Sequence, residues 1–274
     1  MDTASQIHED LGTIYPLTPE QIEQYRVNGY IKLRNVLSAE TLEYYGREIT
    51  RKVKELNSEH LPLEERDLYH RAFLQVENLW ERSDVVREFV MGEKLGRIAA
   101  ELMGTTGVRI YHDQALYKEA GGGITPWHAD QYYWPVSSNK TITAWIPLQA
   151  TPLEMGPLAF CPKSHNVTYG RDLEIGQESE ERIGAALKTY GFDEAGFDLG
   201  EVSFHAGWTF HRAAPNTSST PREVITIIYM DEDMRLTEPV NKYQQADRDT
   251  YCPGIAVGEI INSAMNPIVW NSRS

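Results

Sequence analysis

The chain has 274 residues, of which 41% are hydrophobic and 24% charged, ordinary proportions for a globular protein that exclude a disordered tail or a fibre. Lys and Arg total 26 against 40 for Asp and Glu, a formal net charge of −14, so the average surface repels nucleic-acid backbones and anionic lipid headgroups and neither is expected as a partner. Cys161 and Cys252 lie too far apart in sequence for a Cys-x-x-Cys motif and suit a reducing cytoplasm; the opening MDTASQIHED lacks the features of a secretory signal, and no apolar run nears the roughly 18 residues of a membrane span.

The length suits one β-rich domain over residues 1–274, with a helical part at about 18–104, a β core at about 105–231 and a C-terminal wrap at 232–274. Thr18, Pro19 and Gln21 carry the pattern of an N-cap, a first-turn proline and a capping box. The helix they open is predicted to stop at Gly29, before a short strand through Tyr30, Ile31 and Leu33. Ser38 is placed to cap a second helix running to about Leu56. From Val85 to Met103 the apolar residues recur at helical spacing, and Gly104 closes the run. After Gly107 the texture changes to short alternating runs, which predict strands through Val108–Ile110, Leu116 and Ile142–Leu148. The acidic, glycine-punctuated segment 166–200, with one helix around Glu178–Tyr190, interrupts that pattern and reads as a lid insertion. Strands resume at Glu201–Phe204, Thr209–Arg212 and Val224–Met230.

Two stretches carry potential chemistry. In Trp127-His128-Ala129-Asp130, residues two apart on an extended segment point the same way, so His128 and Asp130 could face one metal ion. The spacing alone is weak, since His8-Glu9-Asp10 repeats it in a polar N-terminal tail where no function is expected. Further on, Phe210-His211-Arg212 precedes Pro215-Asn216 and Arg222; a third ligand from His211 would complete a set of two histidines and a carboxylate with open positions, suited to Fe(II) and oxygen chemistry. His205 competes for that role, and its loss is expected to matter far less than that of His211.

In combination these segments resemble the phytanoyl-CoA dioxygenase family of Fe(II) and 2-oxoglutarate-dependent oxygenases. The similarity runs from LTPEQIEQYRVNGYIKLRNVLSAETL through HDQALYKEAGGGITPWHADQYYW and TAWIPLQATPLEMGPLAFCPKSH to FHRAAPNTSSTPREVITIIYM, spanning about Leu17 to Met230. The resemblance implies a mainly β fold with flanking helices around a double-stranded β-helix core of jelly-roll or cupin type. It implies iron on His128, Asp130 and His211 as the catalytic centre, with Arg222 gripping the distal carboxylate of 2-oxoglutarate. Gln114 matches a cosubstrate contact and Trp145 an aromatic near the iron; a polar turn residue and simple strand packing are the other readings of these two.

Tyr132 and Trp134 are expected to turn into the substrate pocket by alternation, or else to pack between sheets. The chain departs from many relatives at Ala213, where they place a serine that bonds the cosubstrate carboxylate. The implied reaction consumes 2-oxoglutarate and O2, releases succinate and CO2, and hydroxylates an unactivated C–H bond of a small metabolite or natural-product intermediate. An acyl-CoA substrate is the alternative within the family, disfavoured by the negative lid; a cupin-type metal enzyme or binding protein that does not use 2-oxoglutarate is the alternative outside it.

Overall fold

The structure, a computed structural model, describes residues 3–273. Its N-terminal part runs α1 (Thr3–Gly12), α2 (Pro19–Asn28), β1 (Tyr30–Leu33), α3 (Ala39–Leu56), α4 (Leu68–Ala72), β2 (Leu74–Glu77), α5 (Asp84–Val90) and α6 (Glu93–Met103). The expected caps are present: the Thr18 hydroxyl accepts from the Gln21 amide while the Gln21 side chain accepts from the Thr18 amide, and the Ser38 hydroxyl accepts from Thr41. Gly29 ends α2 at φ 81°, where a Cβ would collide with His165 and Thr209.

Three expectations need correction here. The single helix over Val85–Met103 is two, α5 and α6, because the chain turns at Met91–Gly92 between them. The polar tail around His8 is α1, whose Ile7 and Leu11 join the core, and whose Asp10 pairs with buried Lys94 and accepts hydrogen bonds from the Ser38 amide and the Thr41 hydroxyl. The C-terminal stretch is more than a wrap: it forms α8 (Lys242–Tyr251), capped by Asn241, and a strand, β11 (Ile268–Asn271).

Between these lie β3 (Gly107–Tyr117), β4 (Thr125–His128), β5 (Thr141–Pro147), β6 (Leu158–Phe160), α7 (Gln177–Leu187), β7 (Asp193–Glu194), β8 (Val202–Ala206), β9 (His211–Ala213) and β10 (Val224–Asp231). The strands form two sheets. The larger runs β1-β8-β5-β10-β3-β11, with β2 also paired to β3; the smaller runs β4-β9-β6-β7. This is the double-stranded β-helix, sheet-rich with helices outside.

Alternation sorts the strands of the larger sheet. Ile142, Ala144 and Ile146 of β5, and Ile225 and Ile227 of β10, pack with Phe89, Leu95 and Ile98 into the main core under the helices. Thr143, Trp145 and Thr226 point the other way, into a cavity between the sheets. On β3 the parity changes part-way: Ile228 pairs with His112 but Tyr229 with Ile110, so Tyr111 is the extra residue of a bulge. Ile110 therefore faces the helices while His112, Gln114 and Leu116 line the cavity.

Candidate active site

The cavity has a volume of about 490 Å³, within the range of roughly 300–1,000 Å³ usual for small-molecule sites. Its floor draws on both sheets. β4 and β9 run antiparallel with His128 directly opposite His211, which sets the two imidazole centroids 4.2 Å apart. Ala129 is still extended, so Asp130 returns to the same side as His128 before the chain tightens into a 3-10 turn over Asp130–Tyr133. Asp130 Oδ1 lies 3.6 Å from His128 Nε2 and 3.5 Å from His211 Nε2, and one donor atom from each residue lies within 4.8 Å of the others.

Backbone contacts fix which ring nitrogen is free. His128 Nδ1 donates to Pro126 O at 2.7 Å and His211 Nδ1 to Thr209 O at 2.9 Å, so each neutral imidazole offers the Nε2 lone pair to its neighbours. Burial pushes both histidines down to about 4, and each also faces another imidazole. Burial would raise the Asp130 carboxyl, but the surrounding His211, His205 and His128 outweigh it and hold it below the usual carboxylate range. Two neutral imidazoles and one carboxylate, converging with their lone pairs inward, form a donor set that fits a divalent transition-metal ion of Fe(II) type.

His205, on β8 beside Thr143 of β5, is not one of the converging three. Its Nε2–H donates to Asp130 Oδ2 at 3.1 Å, and the Thr143 hydroxyl donates to the same oxygen at 2.9 Å. Sequence reasoning weighed this residue only as a rival ligand. Its position two residues from Ser203 on the inward face of a strand, opposite polar Thr143, was the available signal.

Arg222 is buried, its guanidinium 5.3 Å from the Trp145 ring. Its Nη1 donates to Gly156 O, while its Nε has no partner and no carboxylate pairs with it among the described residues. Burial pushes it down to about 9, which leaves it a cation at neutral pH. Neighbouring Lys118 is pushed down to about 6 by burial, then by Arg222 and Arg212, and its amine donates to the Gly123 and Ala214 carbonyls. Trp145 Nε1 and Thr125 Oγ1 are also buried, line the cavity or its rings, and lack partners. Thr125 stands opposite Ala213 in the β4–β9 register. Gln114 lines the same cavity and accepts from Gln75 Nε2 at 2.5 Å, which leaves its own amide N–H groups to donate.

The motif residues outside the floor act as pins. Gly156, at φ 65°, lies so close to Ala214 O that a Cβ would clash. The Ser164 hydroxyl donates to Cys161 O and accepts from the Phe210 amide, fixing the residue before His211. Asn216 bridges Lys118 O and Thr220 O through its side-chain amide and shapes the turn leading to Arg222.

Most of the outer wall comes from elements that carry no motif. Trp134 and Tyr133 line the cavity, but Tyr132 does not; it lies in an adjoining outer groove with Asp172, Glu174 and Tyr243. The 3-10 turn replaces the strand alternation on which its expected placement rested. Tyr69 arrives from α4, Phe73 from the residue that ends it, Gln75 and Glu77 from β2, and Tyr243, Ala246, Asp247 and Tyr251 from one face of α8. Of segment 166–200, Glu174 and Ile175 reach the cavity, whereas α7 packs against Trp127 on the far side of the smaller sheet and is tied there by Glu180 to the Trp127 amide and to Arg212.

The phytanoyl-CoA dioxygenase (PhyH) family model matches residues 25–224. The chain belongs to the phytanoyl-CoA dioxygenase family. A relative in Stutzerimonas stutzeri, named "Probable alpha-ketoglutarate-dependent hypophosphite dioxygenase", is 25% identical over 236 residues, 78% of this chain and 79% of that one. Among solved structures, the non-heme alpha ketoglutarate dependent carbocyclase SnoK from nogalamycin biosynthesis superposes with a TM-score of 0.77 at 24% identity, covering 94% of this chain and all of that one (100%). The epimerase SnoN in complex with Fe3+, alpha ketoglutarate and nogalamycin RO gives a TM-score of 0.77 at 22% identity, covering 92% and 98%. These structural likenesses establish a shared fold. No described helix is long and apolar enough to cross a membrane.

Proposed function

We propose that the protein is a non-haem Fe(II)- and 2-oxoglutarate-dependent oxygenase that hydroxylates an unactivated C–H bond of a small molecule and releases succinate and CO2. One observation carries this reading: a single cavity holds both a convergent His-Asp-His donor set and a buried arginine with no carboxylate partner. PhyH membership and the alpha-ketoglutarate dependence named for the Stutzerimonas stutzeri relative support the same cosubstrate.

His128 Nε2, Asp130 Oδ1 and His211 Nε2 would hold the ion, and three ligands on one side leave positions for cosubstrate and dioxygen. Bound iron with 2-oxoglutarate and O2 supplies the oxidising power. Arg222, already desolvated and supported on Trp145, would pair with the distal carboxylate through its planar fork. Trp145 Nε1 and Thr125 Oγ1 are unpartnered donors in the same cavity, and Thr125 would take over the contact that Ala213 cannot make. Gln114 would donate from its free amide face. Tyr133 and Trp134 would close the substrate end and keep bulk water from the reacting carbon. The substrate is a small metabolite or natural-product intermediate, and the two buried free thiols suit the cytoplasm.

Anaerobic titration with Fe(II) and 2-oxoglutarate tests this reading. It predicts a weak visible charge-transfer absorption that needs both components; folded, metal-loaded protein without that band contradicts it.

A further inference from the structure

The walls of the cavity differ in charge from its floor. On the proposed reading, on which this inference rests, the positive charges of the ferrous ion and Arg222 are matched by Asp130 and the two carboxylates of 2-oxoglutarate, so the floor is neutral once assembled. The rest of the lining carries Glu77, Glu174 and Asp247 and no lysine or arginine. Lys242, next to the lining residue Tyr243, lies over that ring at 4.7 Å to its centroid and is itself exposed.

Asp247 is the decisive residue. It sits on the inward face of α8, accepts a hydrogen bond from the Tyr111 hydroxyl at 3.1 Å, and has no ionic partner among the described residues. The carboxylate of Glu77 faces it across the cavity wall, next to the Tyr251 hydroxyl. Burial, against the Tyr111 hydrogen bond and reinforced by Glu77, pushes Asp247 up to about 8. Without a cation beside it this acid is held largely protonated at neutral pH, and a positive charge placed there would favour its carboxylate form. Aromatic rings surround the pair: Tyr251 stacks on His112 at 4.4 Å, and Tyr69, Phe73, Trp134 and Tyr243 complete the lining. Acidic side chains among electron-rich ring faces form an environment for a desolvated cation.

We infer that the substrate carries a cationic nitrogen, an amine or quaternary ammonium group, bound at the Glu77–Asp247 wall while its reacting carbon faces the metal end. The charge would also exclude polyanionic substrates such as acyl-CoA esters from this cavity.

Choline and its neutral isostere 3,3-dimethylbutan-1-ol, of matched shape, test the inference by titration of Trp134-containing full-length protein with intrinsic fluorescence and calorimetric readouts at constant ionic strength. Choline is expected to bind at least about tenfold more tightly than the alcohol, and Asp247→Asn to remove most of that preference, as a close charge pair at an effective dielectric near 20 implies. Glu77→Gln, at an exposed position, is expected to lower choline affinity less but in the same direction and carries the test should the Asp247 variant not fold. Choline binding no tighter than the alcohol, or a preference unchanged in both variants, overturns the inference. Because this binding needs neither iron nor 2-oxoglutarate, a charge-transfer band without choline selectivity sinks only the substrate class, and choline selectivity without the band sinks only the oxygenase reading.

Discussion

His205 Nε2 lies 3.1 Å from Asp130 Oδ2, so the carboxylate of the candidate ligand is gripped on one oxygen while the other, Oδ1, faces His128 and His211. With Thr143 donating to the same Oδ2, Asp130 is presented through a single oxygen, which keeps a further metal position open. His205→Ala is expected to weaken Fe(II) binding by about 10–100-fold, and His205→Gln, whose amide can still donate, to recover part of the loss. Anaerobic equilibrium dialysis measures both. An unchanged affinity would show the contact to be idle, and total loss would make His205 itself a ligand.

Asp10 and Asp130 both follow a histidine at the same spacing, yet they hold different things. Asp10 pairs with buried Lys94 and caps the start of α3. Asp10→Ala should cost about 3 kcal/mol, the scale of leaving one member of a buried pair alone, and lower the melting temperature by several degrees without altering iron affinity. Asp130→Ala should abolish iron binding in protein that still melts cooperatively. Calorimetry with and without Fe(II) separates the two.

Cosubstrate capture rests on Arg222 and Thr125. Arg222→Lys keeps a charge but loses the fork, and is expected to raise the KM for 2-oxoglutarate by more than about tenfold, with iron affinity in the absence of cosubstrate unchanged. Thr125→Val preserves shape and removes one charge-assisted hydrogen bond, worth about 1.5–3 kcal/mol, so its KM should rise by roughly tenfold or more. Succinate release at varied 2-oxoglutarate reads both, and an unchanged KM in the valine variant would remove Thr125 from the site.

The burial of His128 and His211 gives the metal-free protein a pH signature. Both are pushed down to about 4, whereas an unfolded chain protonates them near 6.5. The unfolded state therefore takes up protons first as the medium is acidified. Stability from these groups is complete above about pH 6.5 and declines as pH falls from there towards 4. Thermal melts of the apoprotein should show this slope, and His211→Phe, which removes one such group, should flatten it. A melting temperature independent of pH over that window would contradict the burial-depressed ionisation of the two rings.

Much of this was legible because local chemistry and global fold agree. Thr18, Gln21 and Ser38 announce helix starts that the structure uses, and alternating β-branched residues announce β5 and β10. What was not legible depends on departures from a regular period. The bulge at Tyr111 flips the face of β3, and the turn after Asp130 takes Tyr132 out of the cavity. The walls were missed for another reason: α4 and β2 are too short for a periodic signal, and α8 is mostly polar, so the spacing of Tyr243, Ala246, Asp247 and Tyr251 carries meaning only once a cavity lies beside it.

Anomalous diffraction from crystals grown anaerobically with Fe(II) addresses the central claim most directly. One iron peak is expected, roughly 2.0–2.3 Å from His128 Nε2, Asp130 Oδ1 and His211 Nε2 together, with His205 still on Asp130 Oδ2. Iron bound through His205, or at a place that leaves any of those three atoms out of reach, would contradict it.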